Sequence, residues 1–131
     1  MKLVLGLGCD RGTSLLTIET AINQALKSAQ LSPNDIDHYA TIDKKNDEQA
    51  FLQLAEKYQH PISFYSAEQL AKVDVPSPSA VVMKYMGTPS VSEAAALLAA
   101  NATMKSLVVE KFKMRGEDGK NATVSIAIKQ T

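Results

Sequence analysis

Leu3-Val4-Leu5-Gly6-Leu7-Gly8-Cys9-Asp10-Arg11-Gly12-Thr13-Ser14 opens the chain with an apolar run that breaks into glycines and then into helix-starting residues. A continuous apolar run of this length suits a strand of a parallel sheet, buried on both faces. Beyond it, Leu15, Ile18, Ile22, Ala25, Leu26 and Ala29 recur at helical spacing. They predict a helix over 14–29, with Thr13 or Ser14 as its cap. A strand that passes through a glycine-bearing turn into a helix is the unit of an α/β fold.

The same alternation continues. Residues 36–42 read as a second strand and 47–59 as a second helix with Phe51, Leu54, Ala55 and Tyr58 inward, and 61–65 as a third strand. Ser66 and Gln69 have the spacing of a capping box, which opens a short helix towards Val73. In Val75-Pro76-Ser77-Pro78-Ser79 the prolines exclude long regular structure. Ser77 is expected to cap a short helix with Pro78 in its first position, stopped by Gly87. Ser90 and Glu93 repeat the capping-box spacing before an all-apolar helix over 94–100, which must be nearly all buried.

Residues 106–114 and 122–129 read as antiparallel strands joined through 115–121. Val124, Ile126 and Ile128 alternate with Thr123, Ser125 and Lys129, as though one face were wetter. The fold class is therefore α/β: a single layered α/β/α domain over 1–131, with a mixed, mainly parallel sheet and a C-terminal antiparallel hairpin. The expected core is Leu3, Val4, Leu5, Leu7, Ile22, Leu26, Leu54, Leu97, Leu98, Val108, Val124 and Ile126.

Composition bounds the function. Apolar residues make up 45% and charged residues 21% of 131, as in an ordinary globular protein large enough to bury about two-thirds of its unfolded surface. Fourteen basic and fourteen acidic side chains cancel, so no global field draws the chain to nucleic acid or a membrane, and neither partner is expected. Cys9 is the sole cysteine, which excludes an intramolecular disulfide and suits a reducing cytoplasm. The N-terminal apolar run is too short for a signal peptide or membrane helix. His38 and His60 with one cysteine form no metal motif, no phosphate-binding Gly-Lys-Ser/Thr is present, and no resident cofactor or metal is expected.

In sheets of this class the ligand crevice lies beyond the carboxyl ends of the strands, where 8–14, 41–48 and 87–93 converge. Gly8, Cys9, Gly12, Thr13 and Ser14 can bring backbone amides and a helix N-terminus to an anion, and Arg11 can add a bidentate carboxylate contact. The plainer alternative is a tight turn into a capped helix. Cys9 beside Arg11 and a helix N-terminus suggests a thiol of depressed pKa, against the alternative of a small buried hydrophobe. Asp43 falls at a strand exit, where a carboxylate can bond a ligand or act as a base; Lys45 is a cation in the same loop. The plainer alternative is that Asp47 and Glu48 merely favour the helix start and the lysines are solvated, which accounts for Asp47 and Lys44 better than for Asp43. Gly87, Thr88 and Ser90 form a second anion pole or merely cap, and Glu93 joins Cys9 and Asp43 as a candidate for proton transfer. No nucleophile–base pair and no G-x-S-x-G elbow is legible.

Several blocks, in this order, carry a family resemblance: Gly6-Leu7-Gly8-Cys9 with Arg11-Gly12-Thr13-Ser14, Ala40-Thr41-Ile42-Asp43 with Lys45 and Asp47-Glu48, Phe64-Tyr65-Ser66-Ala67-Glu68 with Leu70, Val75-Pro76-Ser77-Pro78-Ser79, Gly87-Thr88-Pro89-Ser90-Val91 with Glu93-Ala94-Ala95-Ala96-Leu97, and Ala122-Thr123-Val124 with Ile126-Ala127. Together they resemble the CobE and CbiG C-terminal-domain family. The resemblance implies cobalamin (vitamin B12) biosynthesis. CbiG proteins of this family are lactone-opening hydrolases of cobalt-precorrin-5A, whereas CobE is a short stand-alone form, and this chain has the length of the short form. The expectation is a carrier or accessory factor that binds a corrinoid or precorrin intermediate, with other pathway enzymes as further partners. The alternative is a precorrin-modifying hydrolase, or part of one.

Overall fold

The computed structural model describes residues 1–76 and 91–129. The expectations for Ser77, Pro78, Gly87, Thr88 and Ser90 lie outside these residues. The chain runs β1 (Leu3–Cys9), α1 (Leu15–Ser28), β2 (Ile36–Ile42), α2 (Gln49–Tyr58), β3 (Ile62–Tyr65), α3 (Ala67–Ala71), α4 (Val91–Ala100), β4 (Leu107–Arg115) and β5 (Asn121–Ile128). The five strands form one sheet in the order β3-β2-β1-β5-β4. β1 pairs in parallel with β2, and β2 with β3. β5 runs antiparallel to both β1 and β4, so four of the five strands point the same way and the sheet is mixed.

Helices cover both faces. Leu3, Leu5 and Leu7 of β1 point to one side and pack with Ile18, Ile22 and Leu26 of α1 and Phe51 and Leu54 of α2. Val4 points to the other side and meets Ala96, Leu97 and Ala100 of α4, while Ala40 and Ile42 of β2 meet Leu70, Ala94 and Ala95. Ser14 caps α1 by accepting from the Thr17 amide. Ser66 and Gln69 form the expected capping box at α3.

Four details differ from the sequence reading. Val108 is 41% exposed. The register of β4 shifts between Leu107 and Val109, which turns Leu107 to the α4 side and Val109 to the α1 side and leaves Val108 outward on the edge strand. Leu98 is half-buried rather than enclosed. Tyr58 at the end of α2 is exposed, and Ala50 takes the buried place expected for Ala55. The face of β5 that carries Ser125 and Ala127 is not wet, because α4 covers it: the Ser125 hydroxyl donates to Ser92 Oγ at 2.8 Å, and both residues are buried.

Gly6 sets how close α4 can come. A Cβ at Gly6 would lie 1.8 Å from the Ser92 carbonyl oxygen and 2.8 Å from the Ala96 nitrogen, both backbone atoms that cannot step aside. Gly12 differs: it has φ of +81° with open space around an added Cβ. Gly6→Ala should therefore cost about 3 kcal/mol or more through forced separation of helix and sheet. Gly12→Ala should cost only ~1–2 kcal/mol from left-handed strain. Urea denaturation of the two variants tests the order, and equal losses would refute the close-packing argument.

Candidate ligand-binding site at the carboxyl edge of the sheet

β1 and β2 end side by side, and the Thr41 hydroxyl donates to the Leu7 carbonyl at 2.7 Å in the buried interior. Past β1, Asp10 anchors the turn. Its amide donates to the Asn121 carbonyl at 3.0 Å, and its carboxylate accepts from the Asn121 amide and side chain at 2.8 and 3.0 Å. Past β2, Asp43–Lys45 forms a 3-10 turn before α2.

Arg11 spans the two turns. Its Nη1 donates to Asp47 Oδ1 at 2.6 Å and to Glu48 Oε2 at 3.2 Å, and its Nη2 donates to the Lys44 carbonyl at 2.8 Å. Glu48, 3% exposed, also accepts from the Gly12 amide at 2.9 Å. Glu48 and Asp47 are thus more than helix-start residues: they join two loops more than thirty positions apart. The Arg11 guanidinium, expected to face a ligand, is engaged by the protein's own acceptors.

The same holds for the amides at the start of α1. Gly12 donates to Glu48, Thr13 to the Asp10 carbonyl at 3.3 Å, and Ser14 to Asp118 Oδ2 at 2.9 Å. Asp118 reaches over from the β4–β5 turn and also accepts from the Thr17 hydroxyl at 3.0 Å. The Gly12 and Ser14 amides, expected to face an anion, are thus held by internal carboxylates, and the Thr13 amide by a backbone carbonyl. Asp118 was not legible as part of this site. Asp118-Gly119 reads as a turn signal, but its contact with α1 bridges 104 positions.

The remaining candidates separate clearly. Asp43 is exposed at the exit of β2. Gly8 and Cys9 are half-buried, and Thr13 is buried with its hydroxyl on the Asp10 carbonyl at 2.6 Å. Lys45 is not solvated but 6% exposed, and its ammonium bonds to none of the described residues. It is close enough for its charge to act on Cys9. The Cys9 thiol is nonetheless pushed up to about 11, because burial outweighs the lowering effect of Lys45, and Glu48 and Asp10 push the same way as burial. Burial thus works against a readily ionised thiol at Cys9. Both histidines are engaged elsewhere: His38 Nε2 lies 2.6 Å from Ser63 Oγ, and His60 meets the Tyr39 ring edge-on. Glu93 is fully enclosed, with neither oxygen hydrogen-bonded and Lys111 Nζ at 3.9 Å. Among the described residues there is no cluster of three or more His, Cys, Asp or Glu side chains able to hold a metal, and no helix is long and apolar enough to cross a membrane.

Fold and site together define an α/β protein whose polar cluster gathers where the parallel strands β1 and β2 end. Residues 3–127 match the family described as cobalamin synthesis G C-terminus. The chain is 37% identical over 126 residues to a cobalt-precorrin-5A hydrolase of Priestia megaterium, covering 96% of this chain and 32% of that protein. It is 36% identical over 112 residues to protein CobE of a Sinorhizobium species, covering 84% of this chain and 72% of that one. Among solved structures, a crystal structure of CobE from the cobalamin pathway superposes with a TM-score of 0.82 at 30% identity, covering 96% of this chain and 92% of that chain. The chain belongs to the cobalamin synthesis G C-terminus family and is a protein of cobalamin biosynthesis. It spans about a third of the length of the Priestia hydrolase.

Two outcomes follow from the site's own electrostatics. Asp118 is held at about 2, chiefly by the Ser14 amide, below the ordinary ~3.9. A carboxylate depressed in the folded state contributes stability above its unfolded pKa and loses it as pH falls through the folded one. Asp118→Ala should therefore lower Tm at pH 7 and flatten the fall in Tm between about pH 4 and pH 2; an unchanged acid limb would refute this. Cys9 should alkylate with iodoacetamide more slowly than free cysteine at pH 7.5, the rate climbing only towards pH 11, and Cys9→Ser should leave folding within about 1 kcal/mol.

Proposed function

We propose that this chain binds a corrinoid or precorrin intermediate at the carboxyl edge of β1 and β2, as a carrier or accessory factor of cobalamin biosynthesis. The observation that carries this reading is Lys45, more than nine-tenths buried yet unbonded to any described residue. The side chain is largely buried while its ammonium is not among the enclosed unbonded atoms, so an anion arriving from outside can pair with it. Corrinoid precursors carry acetate and propionate carboxylates at their rim, which supply such an anion. Cys9 lies within reach of the Lys45 charge, Asp43 stands in the same 3-10 turn, and the bonds of the Gly12 and Ser14 amides shape the neighbouring turn; Gly8 and Thr13 belong to that turn in the same reading. Gly87, Thr88 and Ser90 belong to the same reading as a second pole.

The hydrolase reading rests on the relative named cobalt-precorrin-5A hydrolase, of which this chain matches about a third. Under that reading the chain supplies part of a larger enzyme's substrate site. The protonated Cys9 thiol and the enclosed Glu93 favour binding over covalent chemistry here. A cytoplasmic location and contacts with other pathway enzymes complete the proposal.

Titration with hydrogenobyrinic acid, followed by the visible absorption of the corrin, tests it. Saturable binding in the micromolar range is expected, and Lys45→Met should weaken it by about 1.5–3 kcal/mol, the loss of one charge-assisted contact. No spectral change up to millimolar protein would overturn the proposal.

A further inference from the structure

We infer that Arg11 is a positioning residue that holds Glu48 away from Lys45 and so keeps the Lys45 ammonium free for a carboxylate of the ligand. This rests on the binding reading above and deepens it by assigning the residue that maintains the site's charge.

The geometry of the two turns supplies the argument. The Glu48 amide donates to the Lys45 carbonyl at 3.0 Å, so a single turn of chain brings the two residues together. Lys45 and Glu48 are both buried, at 6% and 3% exposure, and carry opposite charges. A buried ammonium and a buried carboxylate one turn apart would ordinarily pair. They do not: no ion pair joins them, and both Glu48 oxygens are turned to the other loop, Oε1 to the Gly12 amide and Oε2 to Arg11. Arg11 also takes Asp47 Oδ1 and the Lys44 carbonyl, the acceptors on either side of Lys45 in sequence. One guanidinium thus gathers the acceptors of residues 44, 47 and 48, and the cation between them is left unbonded among the described residues.

Arginine suits this task because its planar fork serves several acceptors at once, whereas an ammonium offers a compact charge that a single entering carboxylate satisfies. The Lys45 ammonium is not among the enclosed unbonded atoms, which among the described residues are the two Glu93 oxygens alone, so it remains open to contact from outside. The charged groups acting on neighbouring Cys9 include Lys45, Glu48, Asp10 and Arg11, which makes that thiol a reporter of how the charges of the two turns are balanced.

Binding of hydrogenobyrinic acid and of cobinamide, whose rim carries amides, is measured for the unaltered chain, Lys45→Met, Arg11→Ala, Arg11→Lys and the double variant Arg11→Ala/Glu48→Gln. Lys45→Met and Arg11→Ala should each weaken hydrogenobyrinic acid at least tenfold and cobinamide by less than threefold. The double variant should return to within about threefold of the unaltered chain, because the freed competitor is no longer charged. Arg11→Lys, which guards against loss of folding in the alanine variant, should fall between. A persistent tenfold loss in the double variant would mean that Arg11 touches the ligand itself and would overturn the inference, as would unweakened binding by Lys45→Met.

A second measurement needs no ligand. The pH profile of Cys9 alkylation should shift upward in Lys45→Met and in Arg11→Ala, and return in the double variant. If the unaltered chain binds no corrin but these shifts appear, the binding proposal fails while the charge arrangement stands; if Arg11→Ala leaves the profile unmoved, the inference fails.

Discussion

The structure depends on one missing side chain. At Gly6 the backbone of α4 lies where a Cβ would be, with the Ser92 carbonyl 1.8 Å from that point. Contact this close between a helix and the middle strand of a sheet is tolerated only when neither surface carries bulk. α4 accordingly presents Ala94, Ala95, Ala96 and Ala100, all fully buried. Close approach increases the number of atom pairs within dispersion range and leaves no gap beneath the helix. It also explains why Ser125 and Ala127 occupy the same face of β5: larger residues there would lift α4 off β1. The order of the sheet, with β1 between β2 and β5, follows from the central place this packing gives to β1.

That rigid centre positions the turns after β1 and β2, and there the protein uses its own carboxylates as structural anions. Asp118 satisfies the start of α1, Glu48 satisfies Gly12, and Asp10 ties the first turn to β5. Donors that a glycine-rich turn would otherwise offer to a ligand are spent on joining three segments distant in sequence. Lys45, in the second of these turns, is left largely buried beside them. A chain of formal net charge zero thus places opposite charges in close internal partnership rather than in one-signed patches.

The family relationship and the site chemistry address different questions. Membership places the chain in cobalamin biosynthesis. Similarity extends over 32% of the Priestia hydrolase and 72% of the Sinorhizobium CobE.

The alternation of strands and helices, the caps at Ser14 and Ser66, the buried run of β1 and the family blocks were all legible in the sequence, because hydrophobic period, capping and short motifs are local properties. That the turns 8–14 and 41–48 lie side by side also followed from where strands give way to helices. What local pattern could not carry was the pairing of charges. Arg11 reads as an exposed loop cation until Asp47 and Glu48 are folded against it, and Asp118 reads as a turn residue until it meets Ser14. Nor could alternation in β4 and β5 reveal a register shift at Val108 or a helix covering Ser125. Burial and electrostatic partnership depend on what arrives from elsewhere in the chain, so the sequence alone determined the elements and which turns adjoin, and only the tertiary structure decided how their charges pair.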